Sequence, residues 1–295
     1  MPLLKYKKSH FFYAFIYLLP TIILYSIFYY YPFALNIYYS FTDWDFLHPA
    51  SFIGLKNYQR LISDPLFFKS LILTVIYVIS VLLGSIAIGL IQAFIINRPT
   101  KLAAFTRVIM FIPYMIPDVA AAAIWLIIFA PGPSGYANCI LSSLGLGNYS
   151  WFQDPNLAMP MLIFYSLWKY TGFSALVLYS GIKAIPGEYI EAARIDGASE
   201  FKVFTRVIMP LLGPIISFII ATNLMSSWFV FSSVYTLTKG GPGTATLLIG
   251  MYLYSTAFES FKAGYASTIA IINTIFIIFI VILQVKRVRG VGYGV

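Results

Sequence analysis

Charge is missing from long runs of this chain. No Asp, Glu, Lys or Arg occurs from Ser9 to Thr42, Ser70 to Asn97, Val119 to Gln153, Val207 to Thr238 or Ala263 to Val285. A water-soluble helix needs a polar face, whereas a helix in lipid satisfies its peptide groups internally and needs none. Of the 295 residues, 60% are hydrophobic and 10% charged, against about 25% charged in an ordinary soluble domain. The runs therefore predict an all-α membrane protein.

A membrane span takes about 20 mostly apolar residues. Six spans are predicted, near 11–38, 70–96, 105–130, 157–182, 211–235 and 264–286, in a single domain over 1–295. The formal charge of +9 does not read as a nucleic-acid surface, because the basic residues stand at the ends of apolar segments. Thirteen of the 19 Lys and Arg residues, among them Lys5, Arg98, Lys101, Lys183, Lys202 and Lys286, fall on one set of alternating loops. By the positive-inside rule this puts both termini in the cytoplasm. The loops 40–69 and 131–155 are then outside. The first apolar run is too long for a secretory signal and no small-residue cleavage site follows it, so it is read as an uncleaved span. Cys139 is the only cysteine and His10 and His48 the only histidines, which leaves no internal disulfide and no Cys/His metal cluster.

One segment breaks the apolar pattern. Between the fourth and fifth spans, Lys183–Pro210 carries eight charged residues. Pro186 suits a first helical turn, with Glu188 near the positive end of the dipole, and Gly197 suits a stop just past a helix end. Ser199 and Glu200 read as a fresh N-cap and acidic first turn. The predicted form is two short helices bent at Gly197 and ended by Pro210. Ala192 and Ala193 leave a low spot for a partner surface, with Glu191, Arg194 and Asp196 as polar contacts around it.

This loop resembles the EAA motif of the membrane subunits of binding-protein-dependent ABC importers. That pattern is Glu-Ala-Ala, three residues, Gly, nine residues, then Ile, any residue, Leu, Pro; Glu191, Ala192, Ala193, Gly197 and Pro210 match it, with Val207 and Met209 in place of Ile and Leu. The resemblance runs along nearly the whole chain and is greatest to the carbohydrate branch, that of the maltose and glycerol-phosphate permeases. Phe52-Ile-Gly54-Leu-Lys-Asn57-Tyr58, Trp168-Lys169 and Leu237-Thr238-Lys-Gly240-Gly241-Pro242 are similar to pieces of that pattern. It implies an alternating-access pore for a sugar or oligosaccharide in a bacterial or archaeal cytoplasmic membrane. The implied partners are a second related permease subunit, two ATP-binding subunits docked on the EAA loops, and an external solute-binding protein. The chain has no Gly-x-x-x-x-Gly-Lys-Ser/Thr phosphate loop, so ATP and Mg are assigned to partner chains and this chain is not expected to be an enzyme.

Asp118 and Lys169 lie at similar mid-membrane depth by residue count, where a charge costs roughly 2.5–3.5 kcal/mol on insertion scales. They are predicted either to form an ion pair or, for Lys169, to enter the substrate path. Alignment outward from the EAA loop with the maltose-type permeases implies substrate contacts at Lys169, Tyr170, Phe173, Asn223 and Ser227. Aromatic rings and amide or hydroxyl groups suit the apolar faces and hydroxyls of a sugar, and Asn223 and Ser227 share a helical face. Val230 and Ser232 depart from the maltose-type pattern. Lys169 keeps open an anionic solute such as a sugar acid or glycerol phosphate. A stand-alone secondary transporter would call for internal repeats or a proton relay, and an intramembrane enzyme for more than one Asp/Lys pair.

Overall fold

The structure is a computed structural model that describes residues 8–290, with side chains described over 13–284. Lys5 and Lys7 of the N-terminal basic cluster lie outside the described residues. In chain order the helices are α1 (Lys8–Tyr25), α2 (Tyr31–Ser40), α3 (Lys56–Ile62), α4 (Pro65–Ile96), α5 (Lys101–Met115), α6 (Asp118–Ile128), α7 (Tyr136–Ser143) and α8 (Ala158–Ala184). They continue as α9 (Gly187–Ile195), α10 (Glu200–Val203), α11 (Met209–Leu211), α12 (Gly213–Trp228), α13 (Ser232–Leu237), α14 (Ile249–Tyr254) and α15 (Ala263–Gly290). A π-helical turn, Ser26–Tyr30, joins α1 to α2, and Pro32 is accommodated in the first turn of α2. Among the described residues four helices are long and apolar enough to cross a membrane, or six if each of two bent pairs is one span.

Two of the six predicted spans correspond to these bent pairs. The span expected at 105–130 is broken, and α5 and α6 meet at 99°. Pro117 has no N–H to continue the helix and forces the residue before it out of the helical region; Ile116 stands at φ −69°, ψ 133°. At 1.5 Å per residue the arms are about 22 and 16 Å long, each shorter than the roughly 30 Å of hydrocarbon to be crossed. The span expected at 211–235 is interrupted too. The segments Glu200–Leu211 and Gly213–Trp228 meet at 64°, and the helix stops at Trp228 before resuming as α13. Gly250 of α14 lies against the break: a Cβ there would stand 2.9 Å from the Val230 carbonyl oxygen.

The chain groups into two compact units. One comprises the residues through Asp64 with Leu253–Thr274; the other comprises Pro65–Tyr252 with the chain from Ile275 onward. In the first unit the buried Asn57 amide donates to the Ser40 and Thr42 carbonyls at 3.1 and 2.7 Å, and Thr268 of α15 donates to Ser40 at 3.0 Å. Gly264 is required where α15 meets this loop, since a Cβ would lie 2.1 Å from the Thr42 carbonyl oxygen. On the exposed loop beyond, Asp45 accepts from the His48 ring and backbone, which holds its carboxyl down at about pKa 2 and raises that of His48.

The second unit holds the longer helices. Its buried centre at one end gathers Ala93 of α4, Leu178 and Ile182 of α8, Val203 and Ile208 of the charged segment, and Leu212 and Ile219 around the start of α12. Gly181 lets α12 come close to α8, its hypothetical Cβ meeting Ile215 and Leu212 at 2.7 and 2.9 Å. Near the other end, Thr74 of α4 accepts from the Ile249 N–H at 2.8 Å.

Candidate functional site

The break between α5 and α6 sets up the first candidate site. Ending α5 leaves the carbonyls of its last turn without helical donors. Lys169, on α8 and only 3% exposed, supplies them: its Nζ donates to the Ile116 oxygen at 2.6 Å and the Pro113 oxygen at 3.2 Å. The ammonium thereby sits at the negative end of the α5 dipole, which offsets part of the cost of its burial. One turn earlier on α8, the Tyr165 hydroxyl reaches the Asp118 carboxylate at 2.7 Å and its carbonyl at 3.0 Å. Asp118 is the first residue of α6, at the positive end of that helix.

The predicted Asp118–Lys169 ion pair is therefore not formed. Asp45 pairs with His48 and Arg194 with Glu200. The reason is the elbow, which offers Lys169 two orphaned carbonyls and offers Asp118 a helix N-terminus and a phenol.

Beside the elbow lies an aromatic cluster. Tyr114, in the last turn of α5, stacks on Phe173 of α8 with ring centroids 4.9 Å apart and planes at 17°, and meets Tyr170 edge-on at 6.2 Å. Lys169 lies 5.9 Å from the centre of the Tyr170 ring. Tyr114 stays 39% exposed, so the cluster presents an open ring. This proximity depends on Gly172, where a Cβ would stand 1.9 Å from the Met110 carbonyl oxygen of α5. Three of the five residues assigned to the substrate path thus come together around Tyr114.

The other two do not join them. Asn223 and Ser227 are each 6% exposed, on the inner face of α12. The Asn223 amide donates to Ser85 of α4 at 2.8 Å and to Ser174 of α8 at 3.3 Å. In this conformation Asn223 ties three helices together, and Met225 and Ser226 on α12 and Phe229 just past its end are exposed.

The charged segment is the second site. Pro186 caps α9 from outside and Glu188 lies in its first turn. At the other end Gly197 takes φ +76°, the Gly197 N–H bonds to the Arg194 carbonyl and the Ala198 N–H to the Ala193 carbonyl, both at 3.0 Å. This is a Schellman stop, which favours glycine at its left-handed position. Ser199 then caps α10 through the Lys202 N–H. The helical run continues through a π-helical turn, Phe204–Ile208, and Pro210 lies within it, two residues short of the bend at Leu212. Arg194 reaches back across the bend to Glu200 at 2.9 Å, so it braces the two helices internally, although at this exposure the ion pair contributes little stability.

The segment has two faces. Ile190, Ala193, Ala198 and Phe204 pack on the buried cluster of α4, α8 and α12. Glu188, Glu191, Ala192 and Asp196 are exposed, and with them stand Tyr189, Ile195 and Phe201, the last two 86% and 76% exposed.

This arrangement has counterparts among known proteins. Residues 85–290 match the model of the family described as "binding-protein-dependent transport system inner membrane component". The chain belongs to this family. It is thus an ABC transporter permease and a multi-pass membrane protein. It is 32% identical over 274 residues to a probable ABC transporter permease protein of Pyrococcus horikoshii, covering 92% of this chain and 93% of that one. A multiple sugar-binding transport system permease protein of Streptococcus mutans is 32% identical over 273 residues, 92% of this chain and 93% of its own. A trehalose/maltose transport system permease protein of Thermococcus litoralis is 34% identical over 250 residues, 84% of each. The fold is also that of a solved bacterial ABC transporter involved in the import of the acidic polysaccharide alginate, with a TM-score of 0.84, 24% identity, and coverage of 97% of this chain and 98% of that one.

For this permease, reading the sequence missed four residues that the sites depend on. Tyr114 and Tyr165 were hidden among 23 tyrosines, and only the Pro117 break marks their neighbourhood. Ile195 and Phe201 carried a legible signal, being large apolar residues in the most highly charged stretch.

Proposed function

We propose that this chain is the permease subunit of an ATP-driven importer that moves a sugar or oligosaccharide across a bacterial or archaeal cytoplasmic membrane by alternating access. The observation that carries the reading is the two-faced segment 183–210: one side is fixed to α4, α8 and α12, the other exposes Glu191, Ala192, Ile195 and Phe201. A separate ATPase docks there and moves those helices. ATP and Mg stay on that partner, and both termini face it from the cytoplasm. Every side chain from Tyr13 to Ala34 is exposed in the single chain, which supports a covering of lipid and a second, related permease subunit. An extracytoplasmic binding protein delivers the solute to the opposite side.

The names of the relatives from Streptococcus mutans and Thermococcus litoralis support a sugar. So does the open ring of Tyr114 with Tyr170 and Phe173 behind it, since a sugar's apolar face stacks on such a surface. Lys169 gives two of its three donors to main-chain carbonyls, which leaves one for an anionic solute. Asn223 and Ser227 would contact substrate only after α12 shifts against α8.

The docking claim is tested by purifying the chain with its endogenous partners. An ATPase should copurify, and Glu191→Arg, at an exposed position that leaves the helix packing alone, should release it or uncouple ATP hydrolysis from uptake. Gly197→Val should act similarly, because a β-branched side chain at this left-handed position costs roughly 1–2 kcal/mol and loosens the bend. Full uptake by an unchanged complex in both variants would sink the claim. For the ring, a binding screen on the accompanying solute-binding protein identifies the sugar. Tyr114→Ala should then raise the half-saturating concentration for its uptake up to about tenfold, the equivalent of one aromatic contact of about 1.4 kcal/mol.

A further inference from the structure

Two side chains one turn apart on α8 hold the elbow from both sides. Lys169 bonds the end of α5 through the Pro113 and Ile116 carbonyls, and Tyr165 bonds the start of α6 through Asp118. The hold extends down α6, where Trp125 packs edge-on against Tyr165 at 5.3 Å and tilted against Trp168 at 5.4 Å. Pro117 dictates that the helix must break, since it supplies no N–H, but a proline break by itself leaves the angle between the arms free to vary. Something else has to hold 99°. The four bonds from Lys169 and Tyr165 are placed to do so, and both donors come from a helix that runs unbroken to Ala184, at the edge of the coupling segment.

We infer that Lys169 and Tyr165 are positioning residues that fix the angle of the α5–α6 elbow and, through it, the place of the Tyr114 ring. Lys169 is then not a ligand for the solute. Its charge is retained in the membrane because an ammonium at a broken helix end satisfies two carbonyls that would otherwise be unpaired, and no neutral side chain of that length donates to both. Motion of the coupling segment reaches the ring by this route: α8 moves, and the two arms follow the residues that hold them. The inference rests on the importer reading for what Tyr114 meets, but the angle itself does not depend on that reading.

The test is a distance across the elbow. Cys139 is the sole cysteine, so a Cys139→Ser chain carrying Phe105→Cys on α5 and Ile127→Cys on α6, both exposed positions, can be labelled with nitroxides and measured by pulsed electron resonance in the full complex. The parent should show a single narrow distance. Lys169→Met, which keeps the length and loses the donors, and Tyr165→Phe, which loses one hydroxyl, should each broaden and displace it, and Lys169→Arg should restore it. A merely space-filling role predicts no difference between Met and Arg at 169. Should Lys169→Met fail to fold, Tyr165→Phe carries the test alone. An unchanged distribution in whichever variant is measured, or a Lys169→Arg chain as broad as Lys169→Met, overturns the inference. Absence of a copurifying ATPase would sink the importer reading and leave these distances as read.

Discussion

Gly172→Leu is expected to abolish folded, assembled permease, and Gly172→Ala to weaken it markedly. In an isolated helix, replacing glycine with alanine would be favourable by about 1 kcal/mol. Here the new Cβ would stand 1.9 Å from the Met110 carbonyl oxygen and 2.7 Å from its carbon, both main-chain atoms of α5 that have no rotamer to change. Relief requires α5 to move away by more than an ångström. That shift takes the Pro113 and Ile116 carbonyls out of reach of Lys169, which bonds them at 3.2 and 2.6 Å. Overpacking of about 1–3 kcal/mol therefore adds to the cost of carbonyls left unpaired in the bilayer, together several times the gain in helix propensity. Gly84 is the control: the atom nearest its hypothetical Cβ is the end of the Leu167 side chain at 2.7 Å, which can swing aside. Detergent-solubilised complexes should show a falling unfolding temperature in the order parent, Gly84→Ala, Gly172→Ala. A Gly172→Ala chain as stable as the parent would refute the close approach of α5 and α8.

The second large effect is expected at Asn138, on the loop read as extracellular. It is fully buried, and its amide makes four bonds: Nδ2 donates to the Ala130 and Tyr149 carbonyls at 3.1 and 2.8 Å, and Oδ1 accepts from the Tyr149 N–H and the Trp151 indole, both at 3.0 Å. Few side chains other than an amide offer donor and acceptor on one short stem. Asn138→Leu leaves all four partners unmatched at about 1–3 kcal/mol apiece, less whatever water can reach them, so the loop 131–155 should detach from α6. Limited proteolysis of intact complexes should then cut within this loop, while the parent is expected to resist. Asn138→Asp keeps both accepted bonds and loses both donated ones, and should fall between the two. Equal resistance in Asn138→Leu would show that the loop is held by its rings alone, Trp151 against Phe129 and Tyr149.

Both positions show where reading the sequence stops. Gly172 and Asn138 lie in runs without charge, and nothing local sets them apart from the other small and polar residues there. The charged segment was far more legible, because its signals are local: a glycine past a helix end and a serine cap act within a few residues of themselves, and the structure reproduces both, with Pro186 one residue earlier than expected, just before α9. Lys169 was visible as an expensive charge, but its partners were not. The ion pair with Asp118 followed from similar depth by residue count along an unbroken 105–130 span; once Pro117 breaks it, two carbonyls appear that no count of charged residues reveals.

The sequence by itself determined that this protein lives in lipid, where its most highly charged segment lies, and that this segment has the spacing of the Glu-Ala-Ala motif of its family. Those properties follow from hydrophobicity and short-range backbone preferences, which operate along the chain. Only the tertiary structure decided that two spans are bent, that Lys169 and Tyr165 hold an elbow, that Tyr114 joins Tyr170 and Phe173, and that Asn223 is sealed among three helices. These depend on which main-chain atoms are left unpaired by a break and on how closely two helices approach, and both are fixed by packing between residues tens of positions apart.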